Sequence, residues 1–105
     1  MAQKYSKEEA AMYIIDKIKV DQAGRITLTN FFNKNPLKEV GVAYNTDTHE
    51  IIVEPWSENS KFLHRKIDNK NRLCIKWLLK FINGNIYLVV DETGNRKLLV
   101  LNSPD

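Results

Sequence analysis

Two aspartate–arginine pairs hold the residue types best suited to chemistry in this chain. Asp21 and Arg25 stand four residues apart in Val20-Asp21-Gln22-Ala23-Gly24-Arg25-Ile26-Thr27-Leu28. Asp68 and Arg72 repeat the spacing in Ile67-Asp68-Asn69-Lys70-Asn71-Arg72-Leu73-Cys74-Ile75, 47 residues later. A guanidinium can grip a phosphate or the edge of a guanine through two hydrogen bonds. It can also fold back on its own carboxylate and lock the turn. The two readings are compatible, because a carboxylate that orients the arginine also preorganises it. Asp21 and Asp68 read as loop-shaping residues, since a carboxylate repels phosphate. Gly24 and Asn71 hold the same place in the two loops and are the residues best suited to a left-handed backbone, so both loops are expected to share one shape.

Basic residues surround these pairs unevenly. Residues 57–83 carry Lys61, Arg65, Lys66, Lys70, Arg72, Lys76 and Lys80 against Glu58 and Asp68, a net of +5, while residues 1–56 and 84–105 are each −1 within a total of +3. A basic segment of this kind suits a polyanion. Lys17 and Lys19 in the first half, with Arg65 and Lys66 in the second, flank the strands that enter the loops. Lys34, Lys70, Lys76 and Lys80 extend the set. Contacts from such residues to phosphate position a duplex without specifying its sequence. Exposed strand lysines that discourage edge pairing would look the same.

Other chemistries find little support. His49 falls in a turn and His64 on a strand, with no carboxylate or thiol at metal-ligand spacing. Cys74 reads as a strand thiol, solvent-facing or packed, and one cysteine cannot build a metal cluster. Trp56, Trp77, Phe81 and Tyr87 could stack on bases, though core packing accounts for such residues equally well. No nucleophile–base–acid set, glycine-rich phosphate loop or paired acid constellation is present, so no enzyme, cofactor, metal or small-molecule substrate is expected.

A chain of 105 residues with 43% hydrophobic content, four Gly and three Pro reads as one globular domain. No apolar run approaches the roughly 20 residues of a membrane span, and MAQKYSKEEA lacks the apolar stretch of a secretory signal. A soluble protein of the reducing cytoplasm is the expectation, nucleoid-associated if the polyanion it binds is DNA.

The elements that must position the loops follow in order. Ser6 and Glu9 form a capping box ahead of Ala10, Ala11 and Met12, which predicts an N-terminal helical extension over residues 1–13. Residues 14–20 alternate as a strand, with Ile14, Ile18 and Val20 on one face and Asp16 intruding there. After the first loop, Ile26 and Leu28 point inward. A short helix capped by Thr29 or Asn30 runs to Lys34 ahead of Pro36, and residues 77–82 fill the same slot in the second half. Residues 40–44 and 51–53 flank one hairpin turn, and residues 86–90 and 98–101 flank another. Residues 56–61 form a linker, and residues 102–105 a polar tail.

Strand, turn, strand, helix and hairpin thus occur twice, over residues 14–55 and 62–101. Aligning residues 19–53 with 66–100 gives six identities, among them the two Asp-x-x-x-Arg pairs. The register between helix and hairpin is free to slip by a residue or two. Units of about 40 residues cannot bury a core alone, so each must supply surface to the other. The expected fold is mainly β with short helices, a pseudo-twofold intertwined β-barrel.

Each unit resembles a SpoVT-AbrB swapped-hairpin domain, carried by residues 20–28, the short helix and the hairpin ending Ile51-Ile52-Val53-Glu54-Pro55. Two tandem units with paired Asp-x-x-x-Arg motifs resemble the MraZ branch of that superfamily. The resemblance implies a bacterial or phage-type transcriptional regulator that binds duplex DNA through the loop arginines and neighbouring basic residues. The chain departs from the family pattern at Thr29 and Lys76, where Pro is usual, and at Asn33, Lys34, Lys80 and Phe81, where an Arg-rich helix face is usual. Self-association beyond the intrachain pseudo-dimer is a second partner class. The alternatives are an antitoxin-like protein-interaction module and a degenerate structural or assembly subunit that has lost DNA binding.

Overall fold

The structure, a computed structural model, describes residues 3–7 and 10–102, and gives side chains from residue 12 onward. Glu9 of the capping box and tail residues 103–105 lie outside the described residues. Among the described residues nine strands make up most of the fold: β1 (Gln3–Lys7), β2 (Ala10–Ile18), β3 (Arg25–Thr27), β4 (Glu39–Asn45), β5 (Glu50–Pro55), β6 (Leu63–Lys66), β7 (Arg72–Cys74), β8 (Asn85–Asp91) and β9 (Arg96–Leu101). One short helix, α1 (Thr29–Phe32), and a 3-10 turn over Lys76–Leu78 complete it. Among the described residues no helix is long and apolar enough to cross a membrane.

Seven strands form an antiparallel sheet in the order β1-β2-β8-β9-β5-β4-β6. β3 and β7 form a separate two-stranded ribbon. The sheet is open. Among the described residues β1 pairs only with β2 and β6 only with β4, so the expected barrel does not close. Pairings cross freely between the halves of the chain: β2 lies on β8, β6 on β4, β5 on β9 and β3 on β7. This interleaving gives the two halves of the chain one core. Ile26 and Leu28 from one half meet Leu73 and Ile75 from the other, all without solvent exposure, with Val40, Val42, Ile51, Ile86, Leu88 and Leu98 around them. Phe31, Phe32, Trp77 and Ile82 pack against the rim of that cluster.

The N-terminal helix expected over residues 1–13 is replaced by the β1–β2 hairpin, in which Gln3 faces Ile14 and Lys7 faces Ala10. A helix of that length is marginal without packing. As a strand, by contrast, Met12, Tyr13 and Ile14 find partners in Asp91, Val90 and Val89 of β8. β-branched residues on both sides favour that pairing.

The face assignment of β2 also changes. Its register shifts between Ile14 and Asp16, a β-bulge at Ile15. Ile14 therefore shares a sheet face with Val89, and Ile18 shares the opposite, core face with Ile86. Asp16, opposite Leu88, stays on the side of Ile18; the residue that the bulge moves to the other face is Ile14. The strand ends at Ile18, leaving Val20 outside it and 37% exposed.

Both helical slots are shorter than expected. α1 stops at Phe32 because Asn33 takes a left-handed backbone, φ 64°, three residues before Pro36, and no side chain caps its start. The second slot holds only the 3-10 turn and a following turn. The hairpins β4–β5 and β8–β9 lie where expected. Their turns are closed by Asn45 Oδ1, accepting from the amides of Asp47 (2.9 Å) and Thr48 (3.3 Å), and by Asp91 Oδ1, accepting from Thr93 (2.9 Å) and Asn95 (3.0 Å). The loops lie 47 residues apart in sequence, while β4 and β8 start 46 apart, a slip of one residue.

Candidate nucleic-acid interface

Each loop is built around one carboxylate. Asp21 Oδ1 accepts from the amides of Ala23 and Arg25, both at 2.9 Å, while Arg25 Nε donates to Asp21 Oδ2 at 3.0 Å. Asp68 Oδ1 accepts from Lys70 and Arg72, both at 2.9 Å, and Arg72 Nε donates to Asp68 Oδ2 at 2.7 Å. Backbone bonds repeat as well: Gly24 N to Asp21 O and Asn71 N to Asp68 O, each 3.0 Å. Gly24 and Asn71 have φ 80° and 60°, the left-handed shape expected of both. The amides and the guanidinium favour the charged carboxylate, so Asp21 and Asp68 titrate below the usual range, with the Arg25 and Arg72 amides as the leading causes.

The loops also hold each other. Ile75 N donates to Gly24 O at 2.8 Å, and Leu28 N donates to Asn71 O at 2.7 Å. Between these bonds Arg25 faces Cys74, Ile26 faces Leu73 and Thr27 faces Arg72. Strand alternation then sorts the ribbon into two faces. Ile26 and Leu73 point into the core with no exposure. Arg25, Thr27, Arg72 and Cys74 share the outer face, where Thr27 and Cys74 are exposed and both arginines are half-buried. Among the described residues each guanidinium is bonded only through Nε, which leaves the Nη1 and Nη2 groups of both arginines pointing at no protein partner.

The remaining basic residues divide. Lys76 packs directly over Gly24, with its Cβ 2.8 Å from where a Gly24 Cβ would stand. It therefore flanks the first loop although it belongs to the second half of the chain. Lys70 sits on the second loop, and Lys19 and Lys66 each lie two residues ahead of a loop aspartate; all three are exposed. The concentration of charge in residues 57–83 is thus spread over both loops by the interleaved fold. Arg65 lies elsewhere, its guanidinium 5.9 Å from the Trp77 ring and donating to the His64 carbonyl at 3.2 Å. Lys80 rests over Phe81 at 5.1 Å. No described contact ties Lys17, Lys34, Arg65 or Lys80 to the ribbon. Thr27 was not singled out in the sequence, and Cys74 was left as solvent-facing or packed. Alternation from Ile26 and Leu73 was the signal that places both beside the arginines.

Trp56 and His64 stack at 4.2 Å between ring centres, and His64 Nε2 lies 2.9 Å from Glu39 Oε1. His49 Nδ1 lies 3.3 Å from the Tyr44 hydroxyl. Among the described residues no three His, Cys, Asp or Glu side chains group as metal ligands. No family model, curated protein or solved structure matches the chain.

Two predictions follow from the loop geometry. Gly24→Ala is expected to destabilise by about 1–3 kcal/mol, because φ 80° strains any side chain there and the new Cβ meets Lys76. Asn71→Gly keeps the backbone shape and forfeits only a 3.4 Å contact from Asn71 Nδ2 to Thr29 Oγ1, so its urea midpoint should stay close to that of the parent. Equal losses in the two variants would contradict the shape assigned to the loops.

The second prediction concerns acid. Asp21, Asp68 and Asp91 all have depressed folded-state pKa values, Asp91 chiefly through the Thr93 hydroxyl. Depressed carboxylates contribute stability above their unfolded pKa of about 3.9, and that contribution is lost as pH falls through the lower folded value. The three aspartates therefore contribute a flat term above about pH 5 and a falling one below about pH 4. Urea midpoints measured against pH should show that drop, and Asp68→Asn should make it shallower.

Proposed function

We propose that this protein binds duplex DNA as a transcriptional regulator, using the outer face of the β3–β7 ribbon as its contact surface. One observation supports the reading above the rest. Arg25 and Arg72 lie on the same face of the ribbon, each held through Nε with its two terminal nitrogens free of partners among the described residues. A tethered fork loses less side-chain entropy on binding than a loose one and presents the edge that matches phosphate or guanine. Lys70, Lys76, Lys19 and Lys66 supply phosphate contacts on either side. The recurrence of the backbone and aspartate hydrogen bonds of the loop at an offset of 47 residues favours a duplicated swapped-hairpin unit with a pseudo-twofold axis through the ribbon. That reading keeps the chain among relatives of the SpoVT-AbrB and MraZ type, with a nucleoid-associated location.

Affinity for mixed-sequence duplex measured over rising salt tests the proposal. It should fall linearly on logarithmic axes as counterions are released, with a slope of roughly −0.9 per phosphate engaged. No retention on any duplex at low salt would sink it. A second reading, a protein-interaction module, is favoured by Phe81 at 60% and Leu63 at 40% exposure beside Trp77. Salt-independent capture of one protein partner, lost in Phe81→Ser, would promote that reading instead.

A further inference from the structure

We infer that the ribbon reads two guanines on opposite strands of the duplex, related by a local twofold axis and separated by two to four base-pair steps. This inference rests on the DNA-binding reading above and specifies its target. An antiparallel pair of strands has a twofold axis of its own, here through the Ile26–Leu73 pair, with Arg25 and Arg72 placed diagonally across it. Duplex DNA also has local twofold axes that emerge in its grooves, and a two-stranded ribbon fits the major groove. Superposing the axes puts one arginine on each strand.

Base edges suit these arginines better than phosphates do. Nε of each is committed to Asp21 Oδ2 or Asp68 Oδ2, which leaves Nη1 and Nη2 for the two acceptors, O6 and N7, of guanine. A carboxylate held beside the guanidinium would repel a phosphate, yet at a base edge it can accept from an exocyclic amino group such as cytosine N4. The span follows from strand geometry. Diagonal neighbours across a strand pair stand about 7–8 Å apart, which covers two steps of 3.4 Å along the duplex. Each guanidinium is drawn toward its own loop by its aspartate, which widens the reach toward about four steps.

The test is selection of duplexes from a library with a randomised eight-base-pair core, at a salt concentration where binding is measurable. Enrichment of two G·C pairs with guanines on opposite strands at that spacing is the expected result. In the selected duplex, 7-deazaguanine at either position should weaken binding roughly 10-fold by removing N7. Arg72→Lys, which keeps the charge but not the fork, should abolish the preference at one position only, with an unchanged melting curve. Salt-sensitive binding with a flat sequence profile, or guanines enriched on one strand alone, overturns the inference while leaving DNA binding intact. Absence of binding at the lowest salt overturns both.

Discussion

Leu73→Ala is expected to cost about 2–5 kcal/mol and to lower the melting temperature by roughly 10 °C or more. Leu73 has no solvent exposure and faces Ile26, also fully buried, at the centre of the ribbon. It belongs to one buried cluster with Leu28, Ile75 and Leu98, drawn from both halves of the chain, and such a packed core relaxes only partly around a vacated side chain. The side chain next in sequence provides the control. Cys74 is exposed on the other face, and Cys74→Ala should stay within about 0.5 kcal/mol of the parent. Thermal or urea unfolding of the two variants checks the face assignment directly. Comparable losses would mean that the ribbon does not bury one side and present the other.

Replacing both arginines with alanine should have the largest effect on function. If each contributes one bidentate contact, each single variant loses roughly 10- to 100-fold in affinity. The double variant then approaches the non-specific level. Melting temperature should change little, because both pairs are partly exposed and each aspartate still accepts two backbone amides after its arginine is gone. Electrophoretic or anisotropy titration alongside a melting curve separates the two effects. Unfolding of either single variant would assign the arginines to locking the loop. A greater loss in Arg72→Ala than in Arg25→Ala would follow the extra lysine on the second loop, but Lys76 over Gly24 narrows the difference.

The residues at these positions were legible in the sequence for local reasons. Asp-x-x-x-Arg with Gly or Asn ahead of the arginine specifies a tight turn closed by its own carboxylate, and both copies adopt it. The hairpin at Asn45 and that at Asp91 were legible because one side chain in each accepts from the turn amides. Features decided by distant partners were not. Ser6, Glu9 and Ala10 to Met12 spell a helix start in isolation, but Val89 and Val90, almost 80 residues away, offer Ile14 and Tyr13 a sheet. The same dependence hid the position of Lys76, which counts with the second half in sequence and serves the first loop in space. Nothing in the order of strands announces that the sheet stays open at β1 and β6.

The interleaving of strands has a consequence in time. Ile18 must find Ile86, Ile51 must find Leu98, and Arg25 must find Cys74 before any of these pairs contributes. Contacts so far apart along the chain close late, and topologies dominated by them fold in milliseconds to seconds rather than microseconds. A growing chain that ends before residue 72 has its first arginine but no strand to set it against. The surface proposed here to face DNA therefore needs both strands of the ribbon at once, and a chain halted before residue 72 carries no half-strength version of it.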